Sequence, residues 1–301
     1  MRGIKCLIVT HGFFGDIIFA SSIAKRLRHE NQFNYVDYLI GFPQVARLVK
    51  NNPYINDVYV SEIPLPKPTH SKIDESKYDE IIRLNPLSFL EPPTIEFQKY
   101  AGVRNPVSSY RVYTDFQYDV FMKTEFRETS PIDFNKKTIA VMRNWKPKTY
   151  LFTREEYERG IDVPNFGYGG KNRDVENIVE KLREKFNIIF VGVDADMNQF
   201  QTQNVDDTSP ASILFQTSVM KYCDAFIGTE GGLCNLAAGV GTKTIITGDF
   251  VHQLYGPNGV IKKIDEPKLG PKYYFPNAGH VTLDPFLTDD EVYEQIIEFL
   301  K

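Results

Sequence analysis

The sequence predicts an α/β chain made of two Rossmann-like units. Three observations lead there. The chain has 301 residues, and a single core rarely grows past about 250–300, so two units of roughly 150 are natural. Two segments, one in each half, run from a β-rich apolar strand through a glycine turn into a helix. Between them, Trp145 to Gly170 carries Pro147, Pro164 and the cluster Gly167-Tyr168-Gly169-Gly170, the composition of a connection. The expected division is 1–155 and 156–301.

The opening run Ile4 to Thr10 reads as a strand covered on both faces. His11 to Asp16 breaks it with two glycines. Ile17, Ala20, Ile23, Ala24 and Leu27 then recur at helical spacing. Asn34 to Ile40 reads as a second strand and Val45 to Lys50 as a short helix. Asp57–Val60 and Tyr78–Leu84 read as further strands. Pro64 to Ser76 is an exposed loop by composition, Pro86 to Pro93 is irregular, and a short helix is expected near Thr94–Tyr100. The apolar run Thr138–Met142 is expected to close the first half.

In the second half, Val175, Ile178, Val179, Leu182 and Phe186 mark an amphipathic helix. Asn187 to Asp194 is a buried strand. Ala211–Lys221 is a helix, Asp224–Thr229 a strand, Gly231–Gly241 a helix start and Lys243–Asp249 a strand. The chain closes on a helix whose Thr288 and Glu291 have capping-box spacing. Leu287 and Val292 can staple the same start.

Composition excludes several classes. Hydrophobic residues make up 42% and charged residues 25%, as in a folded globular chain. With 35 basic and 39 acidic residues the net charge is −4, which gives no footprint for nucleic acid. No apolar run reaches the ~18 residues of a membrane span, and the stretch Cys6–Thr10 is too short for a signal segment. Three cysteines (Cys6, Cys223, Cys234) without CxxC spacing point to buried thiols and a reducing, cytoplasmic setting. The five histidines form no HxxxH or HExxH, so no metal site is expected, and GxSxG and P-loop patterns are absent.

Three segments can carry chemistry. The first is His11-Gly12-Phe13-Phe14-Gly15-Asp16, at the carboxyl end of the first strand, where open α/β sheets bind ligands. Gly12 and Gly15 let a ligand approach the backbone, and Asp16 either caps the helix or serves as an acid/base. The second is Thr229-Glu230-Gly231-Gly232-Leu233-Cys234-Asn235, leading into a small-residue helix. Backbone N–H groups and the helix dipole there suit a diphosphate. Glu230 would repel phosphate and so suits sugar or ribose hydroxyls. Tight packing alone is the alternative for these glycines. The third is Arg143 to Lys148, where Arg143, Lys146 and Lys148 suit phosphate neutralisation or simply a solvated linker.

Gly12-x-x-Gly15-Asp16 with its helix, and Phe226 to Asp249, resemble glycosyltransferase family 9, the lipopolysaccharide heptosyltransferases. The two matches cover roughly 40 residues. The resemblance implies a GT-B fold, two Rossmann-like domains facing across a cleft. It implies inverting transfer of a sugar from a nucleotide-diphosphate donor to a glycan or lipid-linked acceptor, without metal or further cofactor. A lipid-linked acceptor implies peripheral membrane association. By resemblance Asp16 is the general base, and Lys146 and Arg143 steady the leaving diphosphate. Thr229, Glu230, Gly231, Gly232 and Leu233 correspond to the donor loop. Glu230 stands where the family has Asp, Gly231 where it has Thr or Ser, and Asn235 where it has His. Two other readings stay open: a sugar-nucleotide epimerase or hydrolase on the same fold, with His11 as the well-placed histidine, and a non-catalytic nucleotide-sugar-binding protein.

Overall fold

A computed structural model describes residues 3–10, 14–21, 23–30, 32–62, 69–84, 112–114, 119, 132–133, 135–142, 148–149, 167–168, 175–192, 210–229, 232–247, 253–255, 261–263, 280–283 and 287–301. The first sheet joins β1 (Lys5–Thr10), β2 (Tyr35–Ile40), β3 (Val58–Val60) and β4 (Glu80–Leu84) in the order β3-β2-β1-β4. All its pairings are parallel, with Leu7 opposite both Asp37 and Ile81. The near-continuous apolar run of β1 has its cause here: Cys6, Leu7, Ile8 and Val9 are fully buried because both faces of the strand are covered.

The predicted first helix forms as two segments, α1 (Phe14–Ser21) and α2 (Ile23–His29), and all five apolar positions read from its spacing are buried. A 3-10 turn at Pro43–Val45 leads into α3 (Ala46–Lys50). The exposed-loop segment from Pro64 is described only from residue 69, where Glu75–Lys77 makes a 3-10 turn. The irregular patch at Pro86–Pro93 and the helix expected near Thr94–Tyr100 lie outside the described residues.

The second sheet contains β5 (Thr138–Met142), β8 (Asn187–Val191), β9 (Ala225–Gly228), β10 (Lys243–Ile246) and β13 (His280–Thr282), in the order β13-β10-β9-β5-β8. It too is parallel throughout. Thr138–Met142 therefore does not close the first half: it pairs with β8 on one side and β9 on the other. The division expected at residue 155 lies outside the described residues. Short antiparallel pairs join β6 (Lys148–Thr149) to β7 (Gly167–Tyr168), and β11 (Gln253–Tyr255) to β12 (Ile261–Lys263).

Helices α4 (Val175–Arg183) and α7 (Asp289–Leu300) cover one face of this sheet, with Ile178, Val179, Leu182, Val292 and Ile296 in one apolar cluster. The capping box at the start of α7 forms as its spacing predicts: the Glu291 amide donates to Thr288 Oγ1, and the Thr288 amide donates to Glu291 Oε2 at 2.7 Å. Leu287 packs on the cluster that holds Val292. The other face carries α5 (Pro210–Tyr222) and α6 (Gly232–Gly239). Their buried residues share a single cluster with α1, α2, α3 and β1, so apolar packing runs continuously from the first sheet to the second. Leu214 to Met220 are buried without a break, which is why α5 shows no polar face.

Candidate active site

In open parallel sheets ligands bind beyond the carboxyl ends of the strands, where the strand order reverses direction. The first sheet reverses between β1 and β4, and the second between β5 and β9. The two glycine-bearing turns singled out in the sequence follow β1 and β9, one at each reversal. The helices they open, α1 and α6, are in contact.

Hydroxyl groups fix α1 on its strand. Tyr38, fully buried on β2, donates its phenol to the Ile17 carbonyl at 2.9 Å, and Thr10 at the end of β1 donates to the Tyr38 oxygen at 2.6 Å. At the other end of α1, Asn52 Nδ2 donates to the Ser21 carbonyl at 3.1 Å. Asp16 is the third residue of α1, inside the first turn rather than at its cap, where a carboxylate still suits the dipole. Its side chain, and all of Gly12, lie outside the described residues.

On the other side, three strand ends converge. Thr229, buried just past β9, turns its Oγ1 to Met142 Sδ at the end of β5, 3.7 Å away. The Cys234 thiol donates to the Thr229 carbonyl at 2.8 Å and ties the loop to the first turn of α6. Gly192 ends β8 with φ +112°, which a side chain rarely adopts. Its amide donates to Gln216 Oε1 at 2.8 Å, and a Cβ there would stand 3.3 Å from Leu233 Cδ1. Leu233 thus seals the β8 end against α6. Glu230, Gly231, Arg143 and Lys146 lie outside the described residues; Arg143 directly follows Met142 in the chain.

Between the halves, Gly15 meets α6. A Cβ on Gly15 would stand 2.6 Å from Asn235 Nδ2 and 3.4 Å from Gly232 Cα. Of the predicted site residues, the structure therefore brings together Gly15, Gly232 and Asn235 in one place, with Thr229 and Leu233 on the same loop and helix. The sequence reading missed Thr10, Tyr38 and Gln216. Only Gln216 left a signal, as the first of three polar residues, Gln216 to Ser218, set between the apolar stretches Ile213–Phe215 and Val219–Met220.

Cys6 and Cys223 are buried and held as thiols. Burial pushes the Cys6 thiol up to about 12 and raises that of Cys223 as well. Among the described residues no three metal-ligating side chains gather, and no helix is long and apolar enough to cross a membrane.

No family model matches the chain, and no curated protein matches its sequence. Solved structures match its fold. A glycosyl transferase of family 9 from Veillonella parvula aligns over 100% of this chain and 98% of its own, with TM-score 0.59 and 14% identity. The ADP-heptose lipopolysaccharide heptosyltransferase II of E. coli aligns over 99% of this chain and 98% of its own, at 0.51 and 11%. The iron-containing dodecameric glycosyltransferase TibC of enterotoxigenic E. coli aligns over 99% of this chain and 77% of its own, at 0.50 and 12%. At these identities the likeness establishes the architecture: two parallel α/β units in the GT-B arrangement of these glycosyltransferases.

Proposed function

We propose that the chain is an inverting glycosyltransferase. It moves heptose or a hexose-like sugar from a nucleotide-diphosphate donor to a glycan or lipopolysaccharide-type acceptor, without a metal ion. One observation carries the reading: the turns at both strand-order reversals open into helices whose first turns touch, at Gly15 on one side and Gly232 and Asn235 on the other. Two helix N-termini then bear on the same space, and their dipoles favour an anion there.

In the proposed reaction the acceptor hydroxyl lies on the α1 side. Its oxygen attacks the anomeric carbon as its proton passes to the Asp16 carboxylate. The bond from that carbon to the phosphate oxygen breaks, and its electron pair leaves on the diphosphate. Backbone N–H groups of the Thr229–Leu233 loop, with Lys146 and Arg143, take up that charge. In this reaction Glu230 is the group assigned to the donor's hydroxyls. A base of this kind contributes about 10²–10⁴-fold. Burial of Thr229, Cys234 and Asn235 supports a loop held in place before the donor arrives. The proposed division into an acceptor-side unit, 1–155, and a donor-side unit, 156–301, follows the same logic, with β5 contributed across it to the second sheet. A cytoplasmic enzyme would reach a lipid-linked acceptor from the membrane surface.

Asp16→Ala tests the assignment. Transfer should disappear while nucleoside diphosphate binding stays within a few-fold. Full transfer in that variant removes Asp16 from the mechanism.

A further inference from the structure

Gly15 reads in sequence as a glycine that lets a ligand approach. The group that crowds it is instead a side chain from the other half of the protein. An added Cβ would lie 2.6 Å from Asn235 Nδ2, closer than real Cβ atoms come, and 3.4 Å and 3.5 Å from the Cα and nitrogen of Gly232. The tight contact is with the tip of the Asn235 side chain, while the Gly232 backbone lies at ordinary van der Waals distance, so Gly15 leaves room for that amide rather than for a turn. Asn235 is only 9% exposed and lies in the first turn of α6. Its neighbour Cys234 is bonded to Thr229 of the donor loop, and Gly15 is the residue before Asp16. A short physical chain therefore links the loop after β9 to the residue that follows Gly15.

We propose that Asn235 is a positioning residue: its side chain, seated against Gly15, sets the register of α1 on α6 and thereby the distance between Asp16 and the donor loop. The catalytic part of this inference rests on the transferase reading; the register itself does not. The fit between a branched amide and a missing side chain is a steric stop. A stop of this kind fails in both directions. Enlarging Gly15 drives the Asn235 amide from its seat, and truncating Asn235 empties that seat. Displacement of a catalytic group by about 1 Å can reduce a rate by ~10²-fold, so both changes should act on kcat more than on donor KM.

A four-protein cycle tests this: wild type, Gly15→Ala, Asn235→Ala and the double variant. Each is followed by urea unfolding and by heptose transfer from ADP-heptose to heptose-deficient lipopolysaccharide. Gly15→Ala should lower the unfolding midpoint and reduce kcat by about 10- to 100-fold, with donor KM within about threefold. Adding Asn235→Ala, which removes the amide that the new methyl strikes, should recover most of the midpoint and at least tenfold of kcat. Additive losses in the midpoint overturn the register. Recovery of the midpoint without recovery of kcat overturns the positioning role. If Gly15→Ala does not accumulate folded, recovery of folded protein in the double variant reads the same coupling, and a double variant that stays unfolded overturns it. Absence of transfer in the wild type would count against the transferase reading, while the unfolding cycle would still decide the register.

Discussion

Tyr38→Phe removes one hydroxyl and tests how the first helix is held to its strand. That oxygen accepts from Thr10 at 2.6 Å and donates to Ile17 at 2.9 Å, with Tyr38 fully buried and Thr10 nearly so. Each buried hydrogen bond contributes about 1 kcal/mol net, and a buried hydroxyl left without its partner costs about 1 kcal/mol more. The variant should therefore lose about 2–3 kcal/mol of stability. Phe fills almost the same volume, so little of this comes from a cavity. Urea unfolding of the wild type and variant at equal protein concentration measures it. Thr10→Val should be less damaging, because the Tyr38 hydroxyl keeps its bond to Ile17. The double variant should fall short of the sum by about 1 kcal/mol, since both changes remove one shared bond. A loss below about 0.5 kcal/mol for Tyr38→Phe, or strict additivity with Thr10→Val, would refute the reasoning.

Three further outcomes follow from the same geometry. Burial, with Asp57 adding to it, raises the Asp37 carboxyl above its ordinary value despite the bond it accepts from Tyr78 at 2.8 Å. The folded state then holds that proton more tightly than the unfolded chain. Asp37 is thus neutral in effect below its ordinary titration range and destabilising as pH rises through its raised folded value. Asp37→Asn should raise the melting temperature at pH 7–8, with the gain shrinking toward pH 4; a gain independent of pH would sink this. Thr288→Ala removes the cap of α7 and should cost about 1 kcal/mol in urea unfolding, whereas Thr288→Ser should cost much less. Transfer should continue at an unchanged rate in excess chelator; its loss there, and return with a divalent cation, would assign the leaving-group charge to a metal.

Much of the fold was legible because buried parallel strands advertise themselves. β1 and β9 are short apolar runs ending in small residues, and the helices after them keep their spacing whatever they pack on. Sheet membership was not legible. The run Thr138–Met142 says that a strand is covered on both faces, but its partners begin at Asn187 and Ala225, and nothing local points to them. Asn235 and Gly15 were both singled out, yet as ligand contacts. A glycine that yields room to a ligand and one that yields room to a side chain of another helix look alike until the neighbour is known. The Thr10–Tyr38 pair was invisible for a similar reason, since one hydroxyl ends a strand and the other sits among apolar residues 28 positions away. The capping box was readable because its two partners lie three residues apart and need nothing from the rest of the chain.

The central claim, that two opposed helix N-termini serve sugar transfer from a nucleotide diphosphate, meets its most direct test in one incubation series. The protein is mixed with ADP-heptose and with ADP-, UDP- and GDP-hexoses, each with and without heptose-deficient lipopolysaccharide, and released nucleoside diphosphate and product sugar are measured. Nucleoside diphosphate should be released only when acceptor is present, in equal amount to sugar attached to it with inverted anomeric configuration. Isomerised or hydrolysed donor without acceptor, or donor bound and never turned over, would contradict the claim.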